Sequence, residues 1–390
     1  MIALDEARAR QAAAQHHHAP LTGSPADVLA ATGWSRSIGG CEPYLALGLR
    51  GGHDVATIEA AVRDGDVQIV PSVRGCIYLV PAAHVPLALR IARRLSERRN
   101  ARDLEKAGVD PGELDDLGAA VLDALAGGPL TTAGVRSALP DGAIRSTGPA
   151  GKKVGITSTL PPTLRQLEFA GQIVRTPVDG RVDHEKYSWR VAATPIDTEG
   201  DAAADNAELA ALFVRWAGPA TIDEFAAWTG LGKRDAKAAI AEAGLDAVEV
   251  EGIGDAWVHP DAPPVGAPAS AYAWLPAMDN HFAFRSSGAV VADARLHDVE
   301  MALFGMGKAR TFATANQPLD RTLSLDGRVV GVWAWSPEKQ AIETHVLTDD
   351  TAGLDAGRAH ATAVFEALGH AKAFSIDTDD RLEKRAARWR

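Results

Sequence analysis

The sequence is poor in cysteine and lacks the common nucleotide-binding motifs. Two cysteines, Cys41 and Cys76, among 390 residues exclude a disulfide scaffold and a cysteine-rich structural zinc site, and they fit a reducing compartment. Neither a P-loop nor a dinucleotide-binding fingerprint is present. The histidines are not spaced like the ligands of a metal centre. We therefore expect no nucleotide cofactor, no other cofactor and no metal.

Long hydrophobic runs are also missing. The longest uncharged stretches contain prolines and are too short to cross a bilayer comfortably. The N-terminal segment MIALDEARAR contains acidic residues and no apolar core, so it does not have the pattern of a signal peptide. The sequence therefore predicts a cytoplasmic protein that does not associate with membranes.

The charge of the chain is negative and unevenly distributed. A formal net charge of −11 argues against a protein that coats nucleic acid without discrimination. Residues 1–190 contain 22 Lys and Arg against 21 Asp and Glu, whereas residues 191–390 contain 18 against 30. An anionic partner such as DNA is therefore expected to bind mainly to the first half of the chain.

A pattern of helices followed by a two-stranded hairpin recurs three times, and this is the pattern of a winged helix. The clearest copy is the third, where Thr221 and Glu224 have the spacing of a capping box at the start of a helix. The copies are irregularly spaced, which favours a tandem array over a short-period solenoid. We predict an N-terminal helix with the first unit at 1–110, and further units at 111–195 and 205–260.

A proline-rich segment at 260–270 separates these units from a part with more strands. Alternating apolar residues around Asp326-Gly327 predict a hairpin. A helix is expected over Gly357–Leu368, and the basic tail EKRAARWR is expected to fray. The predicted fold class is α+β, in which residues 270–375 form a compact β-rich domain closed by a helix.

Four parts of the sequence resemble the AlkZ/YcaQ-type winged-helix DNA glycosylases, which unhook interstrand crosslinks. The resemblance is carried by EARARQAAAQ, VRGCIYLVPA, RWAGPATIDEFAAWTGL, and WLPAMDN together with LDGRVVGVW. It implies three tandem winged helices followed by a small β-barrel-like domain. It also implies that the chain binds double-stranded DNA, including damaged DNA. We expect the protein to be a monomer.

The sequence departs from this family at the position of its catalytic pair. The family's glycosylases carry two glutamines, or a glutamine and an aspartate, separated by one residue. Spacing to the helix that ends at Leu49-Arg50 places Arg36-Ser37-Ile38 there instead. A second departure is Tyr78, where many relatives have histidine.

This difference bears directly on the chemistry. Hydrolysis of an N-glycosidic bond builds positive charge on the sugar, and amide side chains can orient the attacking water. A guanidinium has only donors and a fixed charge, so Arg36 would raise the barrier unless a carboxylate neutralised it, with Glu42 the nearest candidate. The same arginine suits a phosphate. The sequence therefore favours DNA binding over cleavage at this position.

Two other functions are left open by the sequence. One is an active glycosylase in which Ser35, Ser37 or Glu42 holds the water. The other is a DNA-binding regulator, or a resistance protein that sequesters a genotoxic small molecule.

Several basic side chains are candidate contacts to DNA phosphates. One row at i, i+4 spacing on a predicted helix either follows the DNA backbone or is a solvated face paired with acidic neighbours. Two lysines in a predicted flexible loop suit contact with a phosphate, and the alternative is that they belong to a plain surface loop. One arginine in a predicted wing also suits such a contact, and the alternative is that it anchors a carboxylate in the core. The candidates are Arg36, Arg74, Arg90, Arg94, Arg98, Lys152 and Lys153.

Overall fold

The computed structural model describes residues 1–17, 20–37, 40–184, 186–262, 272–303, 310–349, 351, 353–369 and 377–389. Within these residues the fold mixes α-helices with antiparallel sheets, which agrees with the predicted α+β class. The described part of the chain contains no helix with both the length and the apolar character needed to span a membrane.

The first part of the chain packs helices around one hairpin. Local capping sets the helix starts: Ser24 and Asp27 cap each other reciprocally, and Asp54 accepts a hydrogen bond from the Thr57 amide. The predicted N-terminal helix and hairpin are confirmed. The elements are α1 (Leu4–Ala14), α2 (Pro25–Thr32), β1 (Ser35–Arg36), α3 (Glu42–Gly51), α4 (Val55–Asp64), β2 (Val67–Pro71), β3 (Ile77–Pro81) and α5 (Val85–Ala107).

The second part has a similar order of helices and a hairpin. The Thr131 hydroxyl accepts a hydrogen bond from the Gly134 amide and so caps the helix that begins at Thr132. The predicted flexible loop around Lys152 and Lys153 is wrong, because these residues end a short helix that begins at Gly148-Pro149. The elements are α6 (Pro111–Leu125), β4 (Leu130–Thr131), α7 (Thr132–Ala138), α8 (Gly148–Lys153), α9 (Leu160–Phe169), β5 (Ile173–Pro177) and β6 (Tyr187–Val191).

The third part contains three helices and a two-stranded hairpin. The capping box predicted at Thr221 and Glu224 is confirmed by reciprocal hydrogen bonds. Gly230 ends the same helix with a φ of +86°, a conformation that favours glycine. The elements are α10 (Ala202–Ala217), α11 (Ile222–Thr229), α12 (Lys233–Glu242), β7 (Asp246–Val250) and β8 (Gly254–Val258).

The last part is built on a four-stranded sheet. Asp326 and Gly327 both have positive φ and connect two strands directly, as their sequence predicts. Most of the predicted linker at 260–270 lies outside the described residues. The elements are β9 (Tyr272–Leu275), α13 (Asn280–Ala283), β10 (Glu300–Met301), β11 (Arg310–Thr311), β12 (Arg321–Leu325), β13 (Arg328–Ser336), β14 (Ala341–Val346), α14 (Leu354–Leu368) and α15 (Asp379–Arg388).

The sheets connect parts of the chain that are distant in sequence. Strands of the first two parts share one six-stranded antiparallel sheet in the order β1-β3-β2-β5-β6-β4. The two hairpins meet where Ile69 of β2 pairs with Arg175 of β5. The C-terminal sheet has the order β14-β13-β12-β9, while β7-β8 and β10-β11 form separate pairs.

Two hydrophobic clusters bind the C-terminal part to the rest of the molecule. In one, residues of α3 and α4 pack against Trp333, Trp335 and Phe365 of the last part. In the other, buried Trp34 lies with Trp216 and Phe284 among aromatic rings from three parts of the chain. The segment that carries β1 is therefore held between the first, third and last parts.

The C-terminal tail is helical, and the prediction that it frays is wrong. Leu382 and Ala386 of α15 are buried at i, i+4 spacing. The Glu383 carboxylate accepts a hydrogen bond from the Ser336 hydroxyl, and Arg385 pairs with buried Asp377. This apolar spacing is present in the sequence, but the high charge around it conceals the amphipathic face.

Candidate functional site

The candidate motif lies on the short edge strand β1. Ser35 and Arg36 pair with Leu79 and Tyr78 of β3. The backbone amide of Ser37 donates to the Ile77 carbonyl at 2.9 Å, and its hydroxyl lies 3.3 Å from the Tyr187 hydroxyl. Ser37 is 1 % exposed, which leaves little access for water. Ile38, the third motif residue, lies outside the described residues.

Arg36 is held by neutral groups. Its Nη1 donates a hydrogen bond to Oε1 of Gln317 at 3.1 Å, and its guanidinium carbon lies 5.9 Å from the centre of the Tyr78 ring. Within the described residues Arg36 makes no ion pair. The motif position therefore carries a half-buried positive charge without an acidic partner in that part of the chain.

Glu42 does not neutralise Arg36, and the expectation that it could do so is wrong. One carboxylate oxygen of Glu42 binds the Arg321 guanidinium, and the other accepts the Ala277 amide at 2.6 Å. Burial raises the pKa of Glu42 to about 7, although Arg321 opposes this shift. Both oxygens of Glu42 are engaged in the folded chain, so it serves as the buried acceptor of a second arginine.

Arg321 lies in a buried cluster of ionisable groups. It contacts Glu42, Asp377 and the Cys41 thiol, and Asp377 also binds Arg385 at 2.5 Å. Burial opposes ionisation of Asp377, but Arg321 and Arg385 hold the pKa of its carboxyl well below the usual value. Cys41, Glu42 and Asp377 are close enough to share a metal ion, yet guanidinium groups already balance the two carboxylates. The donor set does not fit a further cation.

A cleft lies beside β1, between α2, α3 and the segment that follows β9. Arg50 on one wall pairs with Asp279 on the other at 2.8 Å, and both are buried. Nδ2 of Asn280 donates to the carbonyls of Thr32 and Trp34, at 3.1 and 3.3 Å. Asp279 and Asn280 therefore fix the backbone that leads into the motif.

Two arginines of the predicted row on α5 are paired with a buried carboxylate. Nε of Arg90 donates to Oδ1 of Asp205 at 2.9 Å, and Nη1 of Arg94 donates to Oδ2 at 2.5 Å. Asp205 is 4 % exposed. These two guanidinium groups therefore join α5 to α10 instead of pairing with acidic neighbours on their own helix.

The other basic candidates lie on the surface. Arg74, Arg98, Lys152 and Lys153 are exposed and make no hydrogen bond or ion pair with the described part of the chain. The side chain of Arg74, at the tip of the β2–β3 hairpin, approaches Gly230 at the end of α11. These four side chains have their charges available for an anionic partner.

Lys152 and Lys153 lie beside the C-terminal half of α5. Val154 and Ile156, which follow the two lysines, pack in the same hydrophobic cluster as Leu104. Arg98 is exposed on the same half of α5. We use the name basic patch for the exposed cations Arg98, Lys152 and Lys153, which share their charge and their lack of an acidic partner in the described part of the chain.

Sequence reasoning missed three residues that shape this region: Asp205, Gln317 and Arg321. Gln317 is 281 positions away from Arg36, and Arg321 is 279 positions away from Glu42. No local pattern signals such contacts, because each depends on how separate parts of the chain pack together.

Comparison with solved structures places this architecture among DNA glycosylase folds. It is similar to Streptomyces sahachiroi DNA glycosylase AlkZ, with a TM-score of 0.70 over 93 % of this chain and 96 % of that chain, at 17 % sequence identity. A family model described as DNA glycosylase AlkZ-like matches residues 40–374. The chain therefore belongs to the AlkZ-like DNA glycosylase family, which confirms the resemblance stated from the sequence. Comparison with curated proteins gave no match.

The matched region begins after Arg36-Ser37-Ile38. The position of the motif in this chain therefore rests on its spacing to α3.

Proposed function

We propose that this protein recognises alkylated or otherwise damaged double-stranded DNA and does not hydrolyse the glycosidic bond efficiently. Its family supports DNA as the partner. The proposal that the glycosidic bond is not hydrolysed efficiently rests on the charge of Arg36 at the motif position, which has no acidic partner among the described residues. A fixed cation there opposes the positive charge that develops on the sugar during hydrolysis.

The repeated hairpins support a tandem winged-helix arrangement. We propose that β2–β3, β5–β6 and β7–β8 are the wings of units at 1–110, 111–195 and 205–260, with a β-barrel-like domain at 270–375. The first two hairpins share one sheet, so two of these wings would present a continuous surface to a duplex. In this account the protein acts in the cytoplasm as a monomer.

The basic patch supplies the electrostatic part of binding. Its three cations are exposed and have no acidic partner in the described part of the chain. Each lysine or arginine that neutralises a phosphate releases counterions, so binding should weaken as salt increases. Arg74 on the first hairpin would add a contact where a wing meets the DNA backbone.

The test is fluorescence anisotropy of a labelled duplex that carries one N7-alkylguanine, at several salt concentrations. The double variant Lys152→Glu/Lys153→Glu should lower the magnitude of the slope of log affinity against log salt by about 2. The control is Arg381→Glu/Lys384→Glu, which makes the same change of charge at exposed positions of α15. The control should keep the wild-type slope.

Two results would contradict this proposal. Equal loss of slope in both double variants would show that net charge, not the basic patch, governs binding. Tight binding of a free genotoxic small molecule, with no affinity for DNA, would support sequestration instead.

An active glycosylase is the second candidate, and the raised pKa of Glu42 beside the cleft favours it. A carboxyl that titrates near neutral pH can act as a general acid or base if water reaches it. In that case abasic-site formation should be lost in Glu42→Gln and kept in Glu59→Gln. Glu59, which accepts a hydrogen bond from Tyr44, is the matched control.

A further inference from the structure

Gln317 brings an amide side chain to the motif, where the sequence lacks one. Its Oε1 accepts the hydrogen bond from Nη1 of Arg36. The backbone beside it is fixed, because the Pro318 carbonyl accepts the Met278 amide and the Leu319 amide donates to the Ala302 carbonyl, both at 2.8 Å. Two other segments of the chain therefore hold Gln317 next to β1.

Arg36 and Gln317 together offer donors and little acceptor capacity. A guanidinium has donors only, and the carbonyl oxygen of Gln317 already accepts from it, which leaves the amide NH₂ group. A nucleophilic water must give its proton to an acceptor, so this pair is poorly suited to activate one. Phosphate oxygens accept N–H hydrogen bonds and fit the pair well.

The charge of Arg36 points to the same class of ligand. The nearby arginines Arg50 and Arg321 are paired with carboxylates, whereas Arg36 has no such partner in the described part of the chain. Tyr78 and Gln317 contact Arg36 without neutralising it. A partly buried cation without a counter-charge is costly, and an anionic ligand relieves that cost.

We propose that Arg36 and Gln317 form one binding site for a phosphodiester group of the DNA backbone. Arg36 supplies the charge. Gln317 is a positioning residue that fixes the guanidinium and adds an amide donor. This inference rests on the proposed function, and it assigns to the motif position the binding of phosphate in place of the hydrolysis of a glycosidic bond.

The test compares Gln317→Glu and Arg36→Gln in the same salt-dependent binding assay. In Gln317→Glu a carboxylate of equal size neutralises Arg36, so the magnitude of the salt slope should fall by about 1, as it should in Arg36→Gln. The double variant Arg36→Gln/Gln317→Ala should show the slope of Arg36→Gln alone, because the Gln317 amide carries no charge and acts through the same contact. Gln340→Glu, at an exposed position in the turn between β13 and β14, is the charge-matched control and should keep the wild-type slope.

Gln317→Ala separates positioning from charge. It leaves Arg36 charged, so affinity should fall several-fold with little change of slope, and it also provides a test if Gln317→Glu does not fold. If Arg36→Gln and Gln317→Ala both keep the wild-type slope and affinity, this inference is wrong. The proposal that the basic patch binds DNA is not affected by that result. Absence of DNA binding by the wild-type chain would instead overturn the proposed function, and this inference with it.

Discussion

Nη2 of Arg50 lies 2.8 Å from Oδ1 of Asp279, although the two residues are 229 positions apart. The same nitrogen donates to Oε1 of Gln15, whose Nε2 binds the carbonyls of Thr32 and Trp216. One buried ion pair therefore links the N-terminal helix, α3 and the C-terminal part around the cleft. This network also holds the Thr32 carbonyl, three residues before β1.

The first prediction concerns this ion pair. Asp279→Ala leaves the Arg50 charge buried without its carboxylate, so the free energy of unfolding should fall by about 3–5 kcal/mol. Asp223→Ala, which breaks the pair between the exposed side chains of Asp223 and Lys233, should change it by less than about 1 kcal/mol. Urea unfolding followed by circular dichroism measures both. Similar losses in the two variants would show that the Arg50–Asp279 pair has no special structural role.

The second prediction separates two arginines of the same row on α5. Arg94→Ala removes one of the two guanidinium groups bound to Asp205, so the unfolding midpoint should fall. Arg98→Ala leaves the midpoint unchanged, because Arg98 has no partner among the described residues, but it should lower the magnitude of the salt slope of DNA binding by about 1. A change in the salt slope of DNA binding in Arg94→Ala, with no change in Arg98→Ala, would show that Arg94 and not Arg98 contacts the DNA.

The third prediction concerns pH and Glu42. Burial raises its pKa from 4.5 to about 7, so the folded state binds the proton more tightly than the unfolded state. The stability that wild type gains from this proton is fully present below about pH 4.5 and is lost as the pH rises to about 7. Relative to Glu42→Gln, the wild type should therefore become less stable across this interval, by up to a few kcal/mol. Urea titrations between pH 4.5 and 8 measure the difference. If the difference in stability between wild type and Glu42→Gln does not change over this pH interval, the pKa of Glu42 in the folded state is not raised to about 7.

Local features of this protein were predictable from the sequence. The Thr221–Glu224 capping box and the Asp326-Gly327 turn depend on residues within a few positions of each other, and both formed as predicted. The order of helices and hairpins followed from such signals. The helical tail was missed because its two buried residues are separated by charged ones.

The site was less predictable, since its contacts cross the whole chain. The sequence identified the unusual Arg36 and indicated Glu42 as the nearest carboxylate that could neutralise it. The structure pairs Glu42 with Arg321 and Arg36 with Gln317. These partners come from strand β12 and the segment before it, and only the docking of the C-terminal sheet onto α3 brings them close.

The most direct measurement is the yield of abasic sites in a single turnover, with protein in excess over a duplex that carries one N7-alkylguanine. Binding of the same duplex is followed in parallel by anisotropy. The account predicts a fully bound duplex with no more abasic product than protein-free DNA gives. A yield that rises with the fraction of DNA bound, and that disappears in Glu42→Gln, would contradict it and show that this chain hydrolyses the glycosidic bond.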